Sequence, residues 1–166
     1  QFAISIALER EKTIVAAVVY NPANEELFLA ERGKGTFLNE QRLRVSARKR
    51  LSESVIACGL PHLGRGDLAL FRREFSVVQE KVAGLRRFGA AALDLAWVAA
   101  GRLDAFWERD LSAWDMAAGL LLVAVGLFWA IGEVKKPQLV AVIVATLALV
   151  FFLAGYDRRG GRDALL

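Results

Sequence analysis

The chain has 166 residues, and its 22 Lys and Arg against 18 Asp and Glu give a formal net charge of +4. That length suffices for one domain with a real core, and a single cysteine, Cys58, excludes an internal disulfide and fits a reducing compartment. The basic balance suits nucleic acid, anionic lipid or a phosphorylated substrate without choosing among them, and the 55% hydrophobic share is high for a soluble domain.

No signal-peptide pattern opens the chain; it starts without Met inside an alternating apolar run and reads as a fragment. Residues 2–8 alternate as a strand, 9–12 form a charged turn, and the β-branched run 13–20 predicts a second strand. A turn follows at 21–24, where Pro22 sets φ and Asn24 accepts the left-handed region. Residues 26–31 and 36–38 complete an antiparallel meander, joined by a tight turn at 32–35. Gly33-Lys34-Gly35 in that turn is not a phosphate loop, since it lacks the span and the Ser or Thr after Lys.

Residues 42–50 carry five cations and no acid. With no aromatics interleaved for base stacking, the segment reads as a solvated connector and not as a specific nucleic-acid patch. Ser52 is a candidate N-cap, and 55–60 a short buried strand ended by Pro61. Cys58 and His62 lie four apart, but without a third orienting group they read as a packed Cys and a loop His.

Residues 66–82 hold apolar side chains at helical spacing, 85–88 predict a strand, and 90–100 a helix of small residues stopped by Gly101. The strand at 103–107 delivers Glu108. A further helix opens after Ser112, its N-cap, with Asp115 in the first turn, where free N–H groups favour a carboxylate. Alternating strands and helices over 55–115 predict a mostly parallel sheet with covering helices. Functional residues then belong at strand C-termini and helix N-termini, where Gly89, Glu108 and Asp115 fall. From spacing alone, Glu108 and Asp115 fit an ordinary capped helix better than a cleft.

Asp104-Ala105-Phe106-Trp107-Glu108 followed by Ala113-Trp114-Asp115-Met116-Ala117-Ala118-Gly119 resembles the second signature of the inositol monophosphatase family. Gly89-Ala90-Ala91-Ala92-Leu93-Asp94-Leu95 resembles that family's substrate-side segment, with Ala90 in place of the usual hydroxyl residue. The resemblance runs from Phe2 to about Val123. It implies an α+β or α/β layered sandwich, an antiparallel meander followed by mostly parallel strand-helix units. It also implies a Mg²⁺-dependent phosphatase of phosphate monoesters such as inositol monophosphate. Related enzymes act on other sugar and nucleotide phosphates, and the family commonly forms homodimers. By resemblance Asp115 is a metal ligand, Glu108 contacts substrate hydroxyls, and the backbone of Gly89, Ala90 and Ala91 lines the substrate pocket. The family's paired Glu and D-P-[LI]-D-G-T motifs, which supply three more carboxylates, would precede Phe2. The expectation is therefore an incomplete Mg²⁺ site and no appreciable activity for this chain alone.

The pattern changes at Val123. Residues 116–132 and 137–156 contain no charge, and Glu133, Lys135 and Lys136 interrupt them. The expected organisation is a partial phosphatase-like domain over 1–123 (meander 1–45, strand-helix units 46–123) and an apolar tail over 124–166 with one or two helices. Residues 138–156 approach the roughly 20 residues that a bilayer-spanning helix needs and are apolar on every face. Residues 116–132 either form the other half of a hairpin or remain packed on the domain. The expected location is cytoplasmic for the phosphatase-like part, with membrane association through the tail. Three readings stay open: part of an inositol-phosphatase-like enzyme, a non-catalytic membrane-anchored protein, or a frameshift or rearrangement joining two unrelated genes.

Overall fold

Five short-looped strands make the first sheet, in sequence order and antiparallel throughout: β1 (Ile4–Arg10), β2 (Thr13–Asn21), β3 (Glu26–Glu31), β4 (Gly35–Leu38) and β5 (Gln41–Arg42). The computed structural model of the chain describes residues 1–62, 64 and 66–132. Register sets which face is inside, because side chains alternate along each strand. Val19 pairs with Phe28, Ala17 with Ala30, and Ala30 with Thr36, and these five residues are all buried. The opposite face leaves Ile4, Ile6 and Leu8 more than half exposed. The short strand β5 was not anticipated from the sequence.

The second sheet has β6 (Val55–Cys58) between β7 (Gly84–Arg86) and β8 (Ala105–Trp107), both parallel to it. Helix α1 (Leu68–Gln79) connects β6 to β7, and α2 (Ala91–Ala99) connects β7 to β8. Period-two alternation divides this sheet between two cores. Ile56, Cys58 and Trp107 pack with Phe71, Phe75 and Val78 of α1. Ala57 and Phe106 point the other way, into the larger core with α2 and α3 (Ala113–Gly132). The layers are therefore sheet, helix pair, sheet, helix, a layered sandwich of the kind the family resemblance implies. The chain leaves β6 toward β7 and returns past it to β8, so the strand order reverses at β6. A crevice opens at the C-terminal ends of the strands at such a reversal.

Two expectations need correction. The turn expected to open at Ser52 is present but Ser52 does not cap it: a 3₁₀ turn spans Leu51–Glu53 with Arg50 at its N-cap position and no side-chain cap. The connector 42–50 is also more than a solvated link. Arg42 lies over the Phe37 ring at 4.7 Å, and Arg48 pairs with Asp104 at 2.9 Å. The backbone at 44–46 crowds Gly101, whose φ of +69° ends α2.

Helix α3 settles the first apolar run. Ala118, Leu121, Leu122, Val125 and Leu127 are buried, and Thr36 Oγ1 donates to the Leu122 carbonyl at 3.0 Å. The helix is apolar because the first sheet lies against one side and α2 against another. It stays packed on the domain and runs unbroken through position 123, where the sequence changes character. Among the described residues no helix is long and apolar enough to cross a membrane. The membrane helix expected over 138–156 lies outside the described residues.

Candidate active site

Three backbone turns meet at the crevice beside β6. Gly59 follows β6, and its N–H donates to the Trp107 carbonyl at 3.0 Å, extending the β6–β8 pairing by one step. Its lack of a side chain makes room for Glu108. A Cβ on Gly59 would lie 1.9 Å from the Glu108 carboxyl carbon. Glu108, the residue after β8, is thereby turned against the end of the central strand. The loop behind it is pinned by Arg109, whose Nε donates to Glu74 Oε1 of α1 at 3.1 Å.

The second turn precedes α3. Asp115 accepts the Ser112 N–H at 2.9 Å through Oδ2, which is the reciprocal half of a capping box and satisfies one of the helix's orphan donors. The third precedes α2. Gly89 has φ of +84°, a conformation that favours glycine, and Ala90 occupies the N-cap position without a side-chain hydrogen bond. Serine at an N-cap is commonly worth about 1 kcal/mol over alanine. Ala90→Ser is therefore expected to stabilise the chain by about that amount, read as a raised urea midpoint at unchanged slope.

Gly89, Ala90, Ala91, Glu108 and Asp115 all line one cavity of about 410 Å³. The five residues singled out in the sequence are thus brought together. The same cavity is lined by His62 and Arg87, which the sequence reading left in a loop and a strand end. The cationic signal was present in Leu85-Arg86-Arg87-Phe88, but nothing in the linear pattern said which arginine faces the cavity. Cys58 and His62 do not form a nucleophile and base. The thiol is buried, and burial, then the nearby Asp94 and Glu108 carboxyls, push it up to about 11, far from a thiolate at neutral pH.

Burial raises Glu108 above the ordinary carboxylate value, and Asp115 across the cavity adds to that; His62 and Arg87 oppose it. A carboxylate that sequence reasoning overlooked lies behind this wall. Asp94 of α2 is 1% exposed. Burial and then Glu108 push it up to about 7, with the nearby Ala90 backbone, the Arg87 guanidinium and the amino terminus opposing. Burial favours the neutral carboxyl, and a nearby like charge does the same. Its only sequence signal was a lone acid at a position where a helical face is otherwise apolar.

Asp115 has one carboxylate oxygen committed to the Ser112 N–H. Among the described residues no group of three or more His, Cys, Asp or Glu side chains could hold a metal ion. Magnesium demands a near-octahedral oxygen shell, so the described residues do not by themselves fit the ion.

Comparison with known proteins places this geometry. Residues 1–126 match the model of the inositol monophosphatase family. An inositol-1-monophosphatase of Rhizobium meliloti (strain 1021) is 65% identical over 122 residues, covering 74% of this chain and 46% of that protein. The Nus factor SuhB of Pseudomonas aeruginosa is 49% identical over 124 residues, 74% of this chain and 46% of that one. Among solved structures, the extragenic suppressor protein suhB from Bartonella henselae superposes with a TM-score of 0.74 at 57% identity, over 76% of this chain and 48% of that one. The chain spans about half the length of the curated relatives it matches.

Proposed function

The chain belongs to the inositol monophosphatase family, and on that premise we propose that it carries the substrate-facing part of a magnesium-dependent phosphatase of phosphate monoesters such as inositol monophosphate. The observation that carries the reading is the convergence of Glu108, Asp115 and residues 89–91 on one cavity. Glu108 accepts hydrogen bonds from substrate hydroxyls, which a carboxylate held beside a polar ring does well. The backbone at Gly89, Ala90 and Ala91 lines the opposite wall. Arg87 adds a cation and His62 a ring N–H donor, both of which a phosphate ester can accept from. Asp115 contributes one ligand to magnesium; when bound, such an ion supplies a polarised phosphoryl group and an activated water. The remaining ligands come from outside the described residues, so the activity belongs to a protein that provides them.

A titration of the isotope-labelled 166-residue chain with Mn²⁺ and inositol monophosphate tests this reading. Paramagnetic broadening is expected around Asp115 and is expected to vanish in Asp115→Asn. Substrate-induced shifts are expected at residues 89–91 and 108. The purified chain is expected to release no phosphate from inositol monophosphate with Mg²⁺. Broadening indifferent to Asp115→Asn would remove the ligand assignment, and appreciable phosphate release would show the site to be complete.

A further inference from the structure

Glu108 stands where the sheet no longer supports it. The Gly59 N–H on the Trp107 carbonyl closes the β6–β8 pairing, and Glu108 lies one residue beyond. Its side chain nonetheless sits against Gly59 in the cavity wall. Burial and the Asp115 carboxylate across the cavity both work against its charged form there. An unrestrained carboxylate would turn out to water.

The restraint comes from the next residue. Arg109 Nε donates to Glu74 Oε1 at 3.1 Å and to Oε2 at 3.4 Å, and Nη2 donates to the same carboxylate. The pair is mostly covered, its side chains 30% and 14% exposed. Side chains alternate along a strand, and that alternation gives the pair its consequence. Trp107 faces α1, where its ring stacks on Phe71 at 6.5 Å between centroids. Arg109 faces the same way and meets Glu74, three residues on from Phe71 along one face of that helix. Phe106 and Glu108 are thereby committed to the other side, Phe106 in the larger core and Glu108 beside Gly59. Asp110 then turns with φ of +59°, a left-handed conformation that costs a non-glycine residue about 1 kcal/mol or more. The loop does not hold this course unaided.

We propose that Arg109 and Glu74 are positioning residues of the substrate pocket: their ion pair carries the alternation of β8 past its last backbone bond and so keeps Glu108 in the cavity it shares with Asp115 and residues 89–91. A partly buried ion pair adds little to stability, and fixing register is its best-attested use. The proposal rests on the substrate-pocket reading above for its purpose, but its geometry can be tested without metal or substrate.

In the full 166-residue chain, the nuclear Overhauser contact between the Glu108 γ-protons and the Gly59 α-protons reports the seated side chain. Wild type is compared with Arg109→Met, with Glu74→Gln, and with the exchanged pair Glu74→Arg plus Arg109→Glu. The equilibrium is expected to shift about tenfold toward unseated Glu108 in each single variant, as one hydrogen bond to a charged group is worth, and to return to within about threefold of wild type in the exchanged pair. The Phe71–Trp107 ring contact and the exchange of the Val19 amide are expected to be unchanged throughout. On adding inositol monophosphate, the shift at the Glu108 amide is expected to weaken with the contact, and the shift at Gly89 to remain. A Glu108–Gly59 contact kept in both single variants, or lost together with the Phe71–Trp107 contact, would overturn the proposal, as would an exchanged pair that does not restore it. If Arg109→Met does not fold, Glu74→Gln carries the comparison. Absence of any inositol monophosphate shift in the wild-type cavity would count against the phosphatase reading and leave the contact readouts standing.

Discussion

Asp94→Asn is expected to stabilise the folded chain at pH 8 by on the order of 3 kcal/mol and to flatten its stability profile between about pH 4 and 7. The cause is the carboxyl's burial. In the folded chain it is pushed from its ordinary 3.8 up to about 7. Between those values the folded state keeps a proton that the unfolded chain has released. Stability is therefore full at the acid end of the window, falls as pH rises, and stops falling once the folded carboxyl has ionised. Glu108, also raised by burial, contributes with the same sign. Glu26 acts oppositely: Arg102, Asn21 and Trp97 outweigh its burial and hold its carboxyl low. Comparing Asp94→Asn with wild type removes the Asp94 charge together with its coupling to Glu108, while Arg87 and the amino terminus are common to both. Urea unfolding of the two proteins at pH 5 and pH 8 measures the effect. Parallel profiles would show that Asp94 is not the titrating group.

Gly119→Leu is expected to cost about 3 kcal/mol or more and to open the cavity. Gly119 lies in α3 where that helix crosses α2, and a Cβ there would sit 2.5 Å from the Cβ of Leu95. Leu95 is itself 4% exposed and cannot swing away. A Cβ is fixed to its backbone, so relief requires the two helices to separate. Glycine inside a helix otherwise costs about 1 kcal/mol against alanine, a penalty this position tolerates for close approach. Gly119→Ala tests the balance at smaller scale, since the propensity gain and the overpacking oppose each other. Because α2 carries Ala91 and α3 carries Asp115, helix separation moves the two walls of the pocket apart. A lowered urea midpoint, together with weaker Mn²⁺ broadening at the residues around Asp115, is the expected pair of results. An unchanged midpoint would mean that the helix contact is looser than the geometry shows.

Much of the fold was legible in the linear pattern. Alternation marked β2 and β3, whose inward residues Ala17, Val19, Phe28 and Ala30 are buried. Helical spacing marked α1, and its Phe71, Phe75 and Val78 do pack together on the second sheet. The site's five named residues came from the resemblance to the inositol monophosphatase family, and three of them, Gly89, Glu108 and Asp115, also fall at element ends, where strand termini and helix starts concentrate free backbone groups. Three things were not legible. The two-residue strand β5 carries no periodic signal because it is shorter than any period. The cations at 42–50 looked solvated because their partners, Phe37 and Asp104, are distant in sequence or on another strand. The charge-free stretch 116–132 left two readings open, half of a spanning hairpin or a helix packed on the domain, because a helix covered on several sides and a helix in lipid have the same composition.

By itself, then, the sequence determined the order and type of the elements, the antiparallel-then-parallel plan, and the placing of Glu108 and Asp115 at a strand end and a helix start, because these depend on local backbone chemistry. Only the tertiary structure decided that the apolar helix belongs to the domain, that Arg87 and His62 join the pocket, and that Asp94 lies buried beneath it. Those outcomes depend on which faces meet, and packing between elements far apart in the chain leaves no periodic trace in any one of them.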